Sequence, residues 1–138
     1  MKKGGCICRK ARYEIDLSNV HTIACHCTEC QKHIGAPFSI FSVVPKRQFK
    51  WLNEPNKSIA ISNKANRLFC GHCGTYIKYE GVTTPHEAEI NAMTLDDTSS
   101  LTVDVEIFTR SRLEWVAPLK GAAQFETTEH SPNKKNGN

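Results

Sequence analysis

The chain has 138 residues, 39% of them apolar and 8% aromatic, with a formal net charge of +4. That length suits one domain with a hydrophobic core, and no apolar run of about 18 residues is present to cross a membrane. The opening "MKKGGCICRK" has two lysines but no apolar segment after them, so it does not read as a secretory signal; a cytoplasmic location, where thiols stay reduced, is expected.

In chain order, "ARYEIDL" (11–17) alternates polar and apolar residues, the pattern of a half-buried strand. "TECQKHIG" (28–35) is the best helix signal: Thr28 as cap, Glu29 in the first turn, Gly35 as the stop. "PFSIFSVVP" (37–45) is a β-branched and aromatic strand between prolines. "FKWLN" (49–53) and "SIAIS" (58–62) follow, separated by a turn. "RLFC" (67–70) enters a glycine-rich knuckle and "TYIKYE" (75–80) leaves it. "AEINAMTL" (88–95) and "LTVDVEIF" (101–108) read as strands around "DDTSS", and "RLEWV" (112–116) as the last. The sum is a mainly β protein with one short helix. Residues 1–125 form the domain, and the polar "ETTEHSPNKKNGN" (126–138) is expected to be a disordered tail. Phe38, Phe41 and Trp51, as strand aromatics, are assigned to the core rather than to a pocket.

Seven cysteines are many for a reduced chain of this size, and an odd number does not close into disulfides. Thiolates are favoured zinc ligands, so metal ligation is the better reading. Seven thiolates around two Zn²⁺ ions would remove seven charges and restore four, leaving about +1. Lys2, Lys3, Lys134 and Lys135 also lie near the termini. The basic balance is thus weak evidence for nucleic acid, and no arginine and aromatic cluster of the kind that stacks bases is present.

The cysteines fall into Cys6 and Cys8; Cys25, Cys27 and Cys30; and Cys70 and Cys73. "FCGHCGTY" is a knuckle in which Gly74 can take positive φ and turn backbone N–H groups toward the sulfurs. Two ligands do not close a site, so the knuckle needs a second pair. Cys27 and Cys30 would make a ribbon-like site and leave three thiols spare. Cys6 and Cys8, on one face of a strand, would leave Cys25, Cys27 and Cys30 as a compact trio. The second partition is preferred because it strands no thiol.

Zinc held by three protein ligands keeps a coordination position open, the mark of a catalytic rather than a structural site. His26, between two of the cysteines, faces away if its neighbours face the metal. His33 and Glu29 are near in sequence, as surface or supporting groups more than as proton shuttles.

"GGCICRKARYEI", "CHCTECQKHIGAPFS", "RLFCGHCGTYIKYE", "MTLDD" and "RSRLEW" together resemble the glutathione-dependent formaldehyde-activating enzyme family, which shares a domain with centromere protein V. The resemblance runs from about Gly4 to Trp115. It implies a β-tent-like fold of several bent antiparallel sheets with two zinc sites. By the family pattern Cys6, Cys8, Cys70 and Cys73 hold a structural zinc, and Cys25, Cys27 and Cys30 a catalytic one. The implied activity is that of a carbon–sulfur lyase: condensing formaldehyde with glutathione to S-hydroxymethylglutathione, or the reverse. Small-molecule thiol and aldehyde substrates are the expected partners, with neither nucleic acid nor membrane. The alternative is a non-catalytic zinc-binding interaction module. Three positions depart from the family pattern: Arg9 replaces a usual glycine, Gln31 a frequent arginine, and Glu106 a frequent histidine.

Overall fold

The computed structural model describes residues 1–55 and 57–129. Its strands are β1 (Lys2–Gly5), β2 (Arg12–Ile15), β3 (His21–Cys25), β4 (Ser39–Pro45), β5 (Phe49–Asn53), β6 (Lys57–Ser62), β7 (Ala65–Phe69), β8 (Tyr76–Gly81), β9 (Glu87–Asn91), β10 (Val105–Ile107) and β11 (Ala123–Gln124). Helix α1 spans Thr28–Ile34, and single 3₁₀ turns occupy Lys46–Gln48, Ala92–Thr94 and Thr109–Ser111. The protein is mainly β, with one short α-helix among the described residues. Among the described residues no helix is long and apolar enough to cross a membrane.

The chain divides into two compact units, one of Met1–Val20 and Ser42–Ser100, the other of His21–Phe41 and the chain from Leu101 onward. In the first unit β2 is the middle of an antiparallel trio with β1 and β5. Alternation sends Tyr13 and Ile15 to one face, opposite Trp51 and Phe49 on β5. The Tyr13 ring lies 5.3 Å from Phe49 and meets the edge of Trp51 at 6.1 Å. Trp51 therefore belongs to an aromatic cluster. The buried Tyr13 hydroxyl is satisfied by Thr94 Oγ1 at 2.8 Å. Strands β6 to β9 form an antiparallel run in sequence order, with Ile77, Ala88 and Ile90 fully buried. β1 was not apparent in the sequence because "KKGG" has no alternation. It forms through its partners: β2 along its length, and Asp96 N–H donating to Lys3 O at 2.9 Å.

The expected strand over 88–95 stops at Asn91. The Asn91 side chain accepts from Met93 N–H at 3.3 Å and opens a 3₁₀ turn instead.

In the second unit β10 lies parallel to both β3 and β11. The expected strand over 101–108 shrinks to Val105–Ile107; at its far end Phe108 takes left-handed backbone (φ 53°) and starts the Thr109–Ser111 turn. No strand forms over 112–116. The chain after Phe108 pairs with the end of the sequence instead, Phe108 N–H donating to Thr127 O at 2.7 Å and Thr109 N–H to Phe125 O at 3.1 Å. Glu126 and Thr127 of the expected tail thus contribute backbone partners, and 130–138 lie outside the described residues.

Candidate metal centres

Cys6 and Cys8 follow β1, but not as a strand. Arg9 N–H donates to Cys6 O at 3.0 Å and closes a tight turn, which Arg9 completes at φ 66°. That left-handed position is where the family usually has glycine, and its geometry explains why. The turn brings the Cys6 and Cys8 sulfurs to 3.4 Å. The knuckle supplies the other pair: Gly74, at φ 80°, donates its N–H to Cys70 O at 2.8 Å. Cys8 and Cys70 sulfurs are 3.7 Å apart, and all four sulfurs lie within 4.8 Å of one another. Sulfurs on a tetrahedral Zn²⁺ stand roughly 3.8 Å apart, so this donor set fits that ion.

Donors surround the four sulfurs. Ala11 N–H donates to Cys6 Sγ at 3.2 Å, and the Thr75 hydroxyl sits 3.2 Å from Cys73 Sγ. The Thr75 hydroxyl and backbone draw the Cys73 thiol down to about 5. The Lys10 backbone also favours the Cys8 thiolate, but burial and the sulfurs of Cys6, Cys73 and Cys70 push it up to about 12. Thiols this close do not all ionise unless a cation shares the site. His72, inside the knuckle, is exposed.

The second group is built at the junction of β3 and α1. Cys25 ends β3, opposite Ile107 of β10. Cys27, not Thr28, is the cap of α1: its sulfur accepts from Cys30 N–H at 3.3 Å. A sulfur takes the place of the usual cap oxygen. Gly35 ends the helix as expected, at φ 69°. The sulfurs of Cys25, Cys27 and Cys30 all lie within 4.8 Å of one another. Contact with Cys27 and Cys30, and then burial, drives the Cys25 thiol far up. Among the described residues no histidine, carboxylate or further cysteine joins this trio. All seven cysteines are free of disulfides.

His26 does face away. Its ring is fully buried, 5.0 Å from the Phe38 ring, with Nε2 2.7 Å from Glu106 Oε1. Burial lowers the His26 pKa against the pull of Glu106, so the ring is the neutral donor. Glu106 is also fully buried. Burial raises its pKa, but hydrogen bonds from Gln124, His26 and the Leu119 N–H, with the Arg112 charge, bring it below the ordinary value. Gln31 donates to His26 O at 2.9 Å and Ser111 O at 3.1 Å. Glu29 is exposed on α1, and His33 is half-buried. Sequence reasoning noticed Glu106 and Gln31 only as departures from a pattern. The available signal for Glu106 was an acidic residue inside the apolar run "VEIF"; its partner, 80 positions earlier, left no local mark.

These features define a cysteine-rich, mainly β protein with two side-chain groups able to hold metal. The profile of the family described as glutathione-dependent formaldehyde-activating enzyme matches residues 1–111, and the chain belongs to that family. It is 27% identical over 105 residues to an uncharacterized lyase of Schizosaccharomyces pombe, covering 76% of each chain. It is 33% identical over 85 residues to a Podospora anserina protein provisionally named a glutathione-dependent formaldehyde-activating enzyme, covering 59% of this chain but 39% of that one. A Colletotrichum graminicola protein with the same provisional name is also 33% identical over 85 residues, covering 59% of this chain and 44% of its own length. The chain thus spans less than half of these two fungal relatives. The crystal structure of a Rhodobacter sphaeroides protein shares the fold, with a TM-score of 0.57 at 18% identity over 71% of this chain and 91% of that one.

Proposed function

We propose that the protein is a zinc-dependent carbon–sulfur lyase or synthase of the formaldehyde-activating type, working on a glutathione-like thiol and a small aldehyde in the cytoplasm. In this assignment Cys6, Cys8, Cys70 and Cys73 hold a structural Zn²⁺, and Cys25, Cys27 and Cys30 hold a catalytic one. The observation that carries it is the contrast between the two groups: four converging sulfurs in one and three in the other, with no further side-chain donor on the trio among the described residues. Four ligands close a zinc site and three leave it open.

A bound metal would supply Lewis-acid chemistry, making a thiol more acidic or polarising an aldehyde oxygen. The chain does the rest. β3 and α1 hold the trio in a fixed triangle, and the buried His26 ring stays clear of it. In the synthetic direction a bond forms between the thiol sulfur and the aldehyde carbon. The carbonyl π bond opens, and the thiol proton ends on the oxygen. The lyase direction reverses each change. Thiols add to small aldehydes unaided, so positioning is most of what the protein must contribute.

Elemental analysis with thiol titration before and after chelation tests the metal assignment. Two zincs per chain, one of them removed first, are expected; a single tight zinc with three titratable thiols would refute it. Exchange spectroscopy on formaldehyde and glutathione then tests the substrate. Exchange no faster than in buffer, with both zincs present, would rule out that pair and favour the interaction module.

A further inference from the structure

We propose that Glu106 is the positioning residue of the Cys25, Cys27 and Cys30 group, acting through His26. The inference rests on the reading of that trio as a metal site.

His26 is the one residue between Cys25 and Cys27, so its conformation sets how far their sulfurs splay. Its backbone is held at both ends, N–H donating to Ile107 O at 3.1 Å and C=O accepting from Gln31 at 2.9 Å. The remaining freedom is the ring, and Glu106 removes it. The register places Glu106 opposite Ala24, next to Cys25. Its Oε1 takes the His26 Nε2–H at 2.7 Å, while Oε2 takes Leu119 N–H at 2.8 Å and the Gln124 amide, and is ion-paired with Arg112 Nη2 at 3.3 Å. A buried carboxylate is expensive unless fully bonded, and apolar packing would stabilise a core as well or better. Three hydrogen bonds and an ion pair converge on this one, and His26 is its link to the cysteines. Partners behind a metal site of this kind typically govern affinity about 10–100-fold.

The geometry also fixes which ring nitrogen carries the proton. Nε2 donates to Glu106, so Nδ1 is a bare acceptor, and it is buried without a hydrogen-bond partner. Glu106→Gln keeps the shape but has only one accepting atom. Three donors face Oε2 and one faces Oε1, so the amide oxygen goes to the three. The amide N–H₂ then confronts His26 and drives the proton from Nε2 to Nδ1.

The test loads the full chain with ¹¹³Cd²⁺, reads each cysteine group by its cadmium resonance and by chelator competition, and reads the His26 tautomer from ¹⁵N shifts. In the wild type, Nδ1 is expected to be unprotonated. In Glu106→Gln it is expected to gain the proton, with cadmium about 10–100-fold weaker at the trio and unchanged at the four-cysteine group. Glu106→Asp, which keeps both accepting oxygens, should retain the wild-type tautomer and lose less affinity; it serves if Glu106→Gln does not fold. A protonated Nδ1 in the wild type overturns the proposal before any variant is made. So does an unchanged trio in Glu106→Gln, or equal weakening of both groups, which would make Glu106 a fold element only. A wild type that takes cadmium only at the four-cysteine group refutes the metal reading itself, and this inference falls with it.

Discussion

Replacing Gln31 is the most informative perturbation of the helix that presents Cys27 and Cys30. Its amide nitrogen donates to two backbone carbonyls, His26 O at 2.9 Å and Ser111 O at 3.1 Å. A typical hydrogen bond contributes about 1 kcal/mol net, so Gln31→Ala should destabilise the protein by about 2 kcal/mol. At roughly 1.4 kcal/mol per decade, that is nearly a thirtyfold shift of the unfolding equilibrium. Gln31→Glu should cost more than the alanine, because it aims a carboxylate at two carbonyl oxygens and leaves both unpaired. Gln31→Arg keeps N–H donors at the same place and should stay closest to the wild type. Urea titrations at fixed zinc give the ordering from the midpoints, provided the slopes agree. If Gln31→Glu is as stable as the wild type, Gln31 is not the tie between α1 and the segments at His26 and Ser111.

The two left-handed positions at the four-cysteine group should respond in opposite directions. Gly74→Ala meets no atom within 4 Å but sits at φ 80°, so backbone strain alone should cost about 1–2 kcal/mol, visible as a lower Tm. Arg9→Gly releases comparable strain at φ 66° and gives back part of it in chain entropy, for a net gain under about 1 kcal/mol in the same melt. If the two cysteine groups hold zinc as proposed, Cys70→Ser should abolish folding, and Cys30→Ser should fold with one zinc and lose activity, by circular dichroism, elemental analysis and the exchange assay. Burial, partly offset by the Thr84 hydroxyl, raises Glu89 to about 7. The native state then binds that proton more tightly than the unfolded chain, so stability should fall as pH rises from about 4.5 to 7 and level off above. Glu89→Gln should flatten this fall in urea midpoints at pH 5 and pH 8. A variant that tracks the wild type at both would clear Glu89 as the source of the slope.

What was legible in the sequence is what short-range pattern encodes. Alternation located β2, because residues two apart share a face, and a β-branched and aromatic run between prolines located β4. Cysteine spacing marked the two groups, since ligands for one ion must come from tight turns. Non-local information was harder to see. β1 and β11 are too short and polar to show a period, and each forms through the strand it joins. The cap of α1 was placed one residue late because a thiol is not an ordinary capping group; it serves here as a prospective anion. The parallel alignment of β3 with β10, which sets Glu106 beside the cysteine trio, links positions about 80 residues apart.

A seven-residue helix does not persist in water by itself. Here its starting bracket is Cys27, an atom also spoken for in the ion-binding trio. Alkylating or oxidising that one sulfur would therefore unfasten secondary structure and, if the trio holds a cation as proposed, release it in a single blow.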